Sequence, residues 1–131
     1  MAASSSCRFW QHPADALNVP IEEISGLAWH LLENKEVKTA LRYLKRGMAI
    51  EPEDAGIGLA LAHCYLFSNE YEAAVELYRK YLGKKTSPGF SYAEVIKYNF
   101  MWFAKYGFDR SPMDRVIAEV RLNMPKEYYT K

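Results

Sequence analysis

The sequence predicts an all-α fold, a stack of helix–turn–helix hairpins that ends in a diverged C-terminal helical pair. Three observations carry that prediction. Residues 21–54 align on residues 55–88 without a gap, at an offset of 34, and self-similarity at a fixed period of this size marks stacked repeats. Apolar residues in both segments recur at helical spacing, with Ile24, Leu27, Ala28 and Leu31 in one and Leu61, Ala62 and Tyr65 in the other. Nowhere does the chain alternate apolar and polar residues as a half-buried strand would. With 131 residues and half of them hydrophobic, the chain has the length of one domain and enough apolar material to fill a core.

Residues 1–20 form a leading segment, partly disordered or carrying one short helix over residues 10–17 before Pro20. Residues 21–131 then make the repeat domain. In its two in-phase units Leu27 falls on Leu61, Ala28 on Ala62 and Ala40 on Ala74. Small residues recur where helices approach closely, and large ones recur where space must be filled, as when Leu31 falls on Tyr65 and Leu44 on Tyr78. Polar turns at residues 33–35 and 68–70, each containing Asn, separate the helices of each unit. Pro52 ends the first unit because it lacks the amide needed to continue a helix.

A third unit in the same phase fails, since Phe108 would fall on Ala74 and Ile96 on Ala62. Two helices are still predicted in a lengthened capping unit over residues 89–124. Residues 91–106 place Tyr92, Val95, Ile96, Asn99, Trp102, Phe103 and Tyr106 on one arc, and Gly107 stops them. Ser111 then reads as an N-cap with Pro112 at the first helical position, followed by Met113, Val116, Ile117 and Val120, with Pro125 closing the helix.

Through Leu61, Ala62, Tyr65, Tyr71, Ala74 and Tyr78 in one unit, and Leu27, Ala28, Ala40, Gly47 and Pro52 in the other, the sequence resembles the tetratricopeptide repeat family. It departs from that pattern at Tyr81, where a small residue belongs. The resemblance implies a right-handed superhelical stack in which the first helix of each repeat lines a concave groove. Here the groove would present Trp29 and Leu32 from one unit and Leu59, His63, Leu66 and Phe67 from the next. No Lys, Asn and Arg set stands at those positions to clamp a carboxylate, so the trough suits an apolar or amphipathic helical segment of a protein partner. The expected function is a protein- or peptide-binding adaptor or chaperone, similar to the small chaperones of bacterial type III secretion. The alternative is a structural subunit that uses a basic, aromatic C-terminal surface.

Chemistry is sparse. No His-Glu-x-x-His, Cys-x-x-Cys, phosphate-binding glycine loop or Gly-x-Ser-x-Gly occurs. His63 and Cys64 are adjacent on a helix and point about 100° apart, so they cannot act as base and nucleophile. Glu51, Glu53 and Asp54 read as a solvated turn. No enzymatic activity, cofactor or metal is expected. Residues 1–78 carry 6 Lys/Arg against 11 Asp/Glu, and residues 79–131 carry 11 against 5 along with 11 of the 19 aromatics. Lys84, Lys85, Lys97, Lys105, Arg110, Arg115 and Arg121 could follow a phosphate backbone, yet Tyr92, Trp102 and Phe103 sit at core spacing, so nucleic acid is the less favoured partner. The wide apolar arc of residues 91–106 predicts homo- or hetero-oligomeric association there. No apolar stretch reaches membrane-spanning length, and the first residues lack the apolar core of a secretory signal, so a cytoplasmic location is expected.

Overall fold

The computed structural model describes residues 19–84 and 91–130. The expected helix over residues 10–17 and the side chain of Lys85 lie outside the described residues. The chain divides into two compact units, Met1–Cys64 and Tyr65–Lys131. Among the described residues there are seven helices and no strands: α1 Ile21–Glu33, α2 Val37–Ile50, α3 Ala55–Leu66, α4 Tyr71–Leu82, α5 Tyr92–Lys105, α6 Arg110–Val120 and α7 Lys126–Tyr129.

In the N-terminal unit α1 and α2 form an antiparallel hairpin. Its turn places Lys35 in the left-handed region (φ 60°), which lets the Glu36 amide donate to the Leu31 carbonyl at 2.9 Å. Thirty-four residues on, Asn69 is left-handed (φ 64°) and the Glu70 amide donates to the Tyr65 carbonyl, again at 2.9 Å. The sequence period is therefore a period of backbone geometry, with the turn residue satisfying a carbonyl that the helix end leaves open.

Burial follows the small residues. Ile24, Leu27, Ala28 and Leu31 of α1 face Ala40, Tyr43, Leu44 and Gly47 of α2, all buried. A side chain at Gly47 would begin 3.1 Å from Ile57 Cδ1 on α3 and 3.2 Å from Ile24 on α1, so the three helices meet where only glycine fits without a shift. Asp54 starts α3 as its N-cap, with Oδ1 accepting from the Ile57 amide at 3.0 Å. The acidic turn thus has a structural member as well as two solvated glutamates.

In the C-terminal unit the position that matches Gly47 is Tyr81, which is buried with its ring 5.6 Å from Tyr92 of α5. A large ring fills a gap that a small residue would close. Helix α5 starts at the Ser91 cap, whose Oγ accepts from the Glu94 amide, and ends at Gly107 (φ 81°). There the Phe108 amide reaches the Phe103 carbonyl at 3.0 Å and the Gly107 amide reaches Ala104 at 3.3 Å, while the rings of Phe103 and Phe108 pack 4.9 Å apart.

Two expectations about α6 are corrected. Its N-cap is Asp109, whose side chain accepts from the Ser111 amide, so Pro112 sits inside the first turn, where a missing N–H costs nothing. The helix also stops before Pro125. Arg121 turns left-handed (φ 57°) and the Leu122 amide closes on Ile117 at 2.9 Å. Pro125 instead precedes the short α7.

The glycines give a direct test. Gly26 is exposed on α1 with open space where a side chain would go, so Gly26→Ala should stabilise the fold by about 0.5–1 kcal/mol through backbone entropy alone. Gly47→Leu should cost about 1–3 kcal/mol by overpacking. Urea denaturation midpoints check both, and equal midpoints for the two variants would contradict the packing at Gly47.

Candidate protein-binding surface

The expected groove residues are mostly interior. In the N-terminal unit Leu32, Leu59 and His63 are buried and Trp29 is half-buried, with its ring edge-on to His63 at 5.7 Å. Residues 57–64 of α3 are buried without interruption. A helix so uniformly small and apolar, Ile-Gly-Leu-Ala-Leu-Ala, has no polar face to turn outward and packs on all sides. In the C-terminal unit Leu66 is buried, and half-buried Phe67 lies 5.0 Å from Phe103 and 4.8 Å from Phe108. Four of the six residues thus present no wall to a ligand, and Phe67 packs against the turn that ends α5. Cys64 is buried too, and burial pushes its thiol up to about 12, so no thiolate stands beside His63 at neutral pH.

Exposed aromatic surface lies elsewhere, on α5. That helix buries Ile96, Phe100 and Phe103. The buried arc therefore centres on Phe100. Of the three aromatics at core spacing, Phe103 is buried while Tyr92 and Trp102 are half-buried, and Tyr106 is exposed. Tyr98, Trp102 and Tyr106 follow one another at i, i+4 and i+8, with the Trp102 and Tyr106 rings 4.3 Å apart. Tyr98 is 73% exposed and Tyr106 46%. A cleft of about 820 Å³, lined by Tyr98 and Trp102, runs toward Phe108, Arg110 and Tyr128. A second, of about 890 Å³, lies toward Met124 and Pro125. Tyr98 and Met101 line both clefts and so form the ridge between them.

The floor of the first cleft is held by α7, which the hydrophobic periodicity could not reveal because it is only four residues long. Tyr128 is buried, and its hydroxyl donates to Asp114 at 2.8 Å. Arg110 donates to the Tyr128 carbonyl and lies 4.6 Å from the centre of its ring. Burial first, and then the bond to Asp114, push the Tyr128 hydroxyl pKa upward. With Tyr128 fixed inward, its neighbour Tyr129 projects outward, 63% exposed.

Several of the basic residues considered for a phosphate backbone are already engaged inside this unit. Lys97 pairs with Glu94 at 2.9 Å. Arg115 stacks 3.7 Å from the centre of the Tyr71 ring and lies 3.8 Å from Glu72. Both oxygens of Glu119 are used, one accepting from Tyr71 Oη at 2.8 Å and the other from Arg79 Nη2 at 2.9 Å. These bonds, the tyrosine first, hold the Glu119 carboxyl below the usual glutamate value. They tie α4 to α6. Among the described residues no group of three His, Cys, Asp or Glu stands close enough to hold a metal ion, and no helix is long and apolar enough to cross a membrane.

Residues 31–88 match the family model of the tetratricopeptide repeat. That match spans both left-handed turns at Lys35 and Asn69, and it supports the tetratricopeptide repeat as the family of this segment. Proteins built from this repeat are generally non-catalytic and mediate protein–protein interaction. No curated protein and no solved structure matches the chain.

The Glu119 cluster predicts a pH dependence. A carboxyl depressed in the folded state contributes stability that is present above the ordinary glutamate value and lost as pH falls through the depressed one. Wild-type stability should therefore fall more steeply than that of Glu119→Gln as pH is lowered from about 5 to about 3. Parallel urea midpoints for the two proteins across that range would contradict the assignment.

Proposed function

We propose that the chain is a protein-binding adaptor whose working surface is the aromatic ridge of α5 with its two flanking clefts. The single observation that carries this reading is the exposure of Tyr98 and Tyr106, one turn to either side of half-buried Trp102, on a helix already anchored by Ile96, Phe100 and Phe103. Folding is served by the buried side, and the rings of Tyr98 and Tyr106 are left 73% and 46% exposed. Aromatic side chains give a binding surface large contact area at low conformational cost, and they dominate interface energetics. The family match to residues 31–88 adds a general role in protein–protein interaction.

The partner segment is apolar or amphipathic, laid along the ridge with side chains in the clefts on either side. The groove at Trp29, Leu32, Leu59, His63, Leu66 and Phe67 is not part of this proposal, because burial takes its walls away. A chaperone role of the type III secretion kind depends on that groove being open, so the proposal is of an adaptor and not of a secretion chaperone.

A photocrosslinking residue in place of Tyr98 tests the site. It should capture a protein partner, or a second copy of the chain, that the same probe at exposed Glu23 does not capture. Tyr98→Ala with Tyr106→Ala should weaken that complex by about tenfold or more and leave the melting temperature within a few degrees. An unchanged complex with the double variant would overturn the assignment.

A further inference from the structure

Helix α2 carries a second candidate surface, in the N-terminal unit and independent of the aromatic ridge. Its 14 residues hold four cations, Lys38, Arg42, Lys45 and Arg46, and no carboxylate. The sum over residues 1–78 is acidic and conceals this local concentration. All four are exposed, and Lys38, Arg42 and Arg46 take no part in the ion pairs of the described residues. Lys38, Arg42 and Arg46 stand at i, i+4 and i+8, so they form one stripe along the helix. The next position on that stripe, i+12, is Ile50, a large apolar side chain left 49% exposed.

The fold does not need this arrangement. The buried side of α2 is formed by Ala40, Tyr43, Leu44 and Gly47, and like charges at i, i+4 spacing repel one another along an isolated helix. In the second repeat the residues 34 positions on are Glu72, Glu76 and Lys80. The stripe is thus a property of the first repeat and not of the repeat pattern. Lys38, Arg42 and Arg46 ending in Ile50 have a complement in three carboxylates ending in an apolar residue.

We propose that the outer face of α2 docks an acidic amphipathic helix of a protein partner, with carboxylates spaced three or four residues apart and an apolar side chain beyond them seated on Ile50. Charge complementarity selects the acidic segment and orients its approach. Ile50 favours a protein over a polyphosphate, because a phosphate backbone offers nothing to bury against an isoleucine.

The test uses the full chain and a synthetic helical peptide with Glu at i, i+4 and i+8 and Leu at i+12. Its controls are a Gln version of that peptide, a 20-base-pair DNA duplex and phosphatidylserine vesicles. Arg42→Glu with Arg46→Glu should weaken peptide binding about tenfold, as the loss of a few exposed ion pairs implies, and a Lys-containing peptide should restore it. Binding should also fall as salt is raised. Ile50→Ser should weaken the peptide and leave duplex binding unchanged. Equal binding of the Glu and Gln peptides, or of the wild type and the double reversal, would overturn the proposal. So would tighter binding of the duplex or of the vesicles than of the Glu peptide. The Tyr98→Ala, Tyr106→Ala variant should bind this peptide normally, which separates failure here from failure at the ridge.

Discussion

A backbone hydrogen bond that closes over a left-handed residue recurs at four helix ends, and the chain's connectivity depends on it. Glu36 donates to Leu31, Glu70 to Tyr65, Phe108 to Phe103 and Leu122 to Ile117, all at 2.9–3.0 Å. The residues under these bonds are Lys35, Asn69, Gly107 and Arg121. Each turn satisfies a carbonyl that would otherwise be open at the helix end and sends the chain back sharply. Only one of the four uses glycine. The others accept the steric cost of a left-handed side chain, offset by the packing that the reversal allows.

The spacing of these bonds explains the sequence pattern and its failure. Leu31 to Tyr65 is an offset of 34, whereas Tyr65 to Phe103 is 38. The third turn is therefore present but displaced by four residues. In that register Phe100 stands where Ala28 and Ala62 stand, and Pro112 where Ala40 and Ala74 stand. The small residues by which a close-packed hairpin is recognised are replaced, so alignment at 34 could find helices there but no repeat. Tyr81, in place of a Gly47-like residue, belongs to the same change, because its ring against Tyr92 fills the wider space.

Helices α1 to α5 could be read from periodicity, from the polar turns and from Gly107, since each of those signals is local. The binding surface could not. Groove positions were inferred from the family's first helices, but Ile57, Leu59, Ala60, Leu61 and Ala62 give α3 no polar side, and a helix of that kind is interior whatever its place in a repeat. Tyr128 escaped notice because α7 is too short to show a period. Its bonds to Asp114 and Arg110 nevertheless shape one side of the aromatic cleft. Association through residues 91–106 was expected because the apolar arc was too wide, and that width proved to be two faces, one for the core and one outside.

The division of α5 into an inner side at Ile96, Phe100 and Phe103 and an outer ridge at Tyr98 and Tyr106, with half-buried Trp102 between them, is the central claim, together with the interior position of α3. Hydroxyl-radical footprinting of the intact chain measures both at once. Tyr98, Tyr106 and Tyr129 should oxidise rapidly, while Leu59, His63 and Leu66 should be protected to a degree comparable with Phe100. Rapid oxidation of His63 and Leu66 together with protection of Tyr98 would contradict it, and would return the binding surface to the first helices of the repeats.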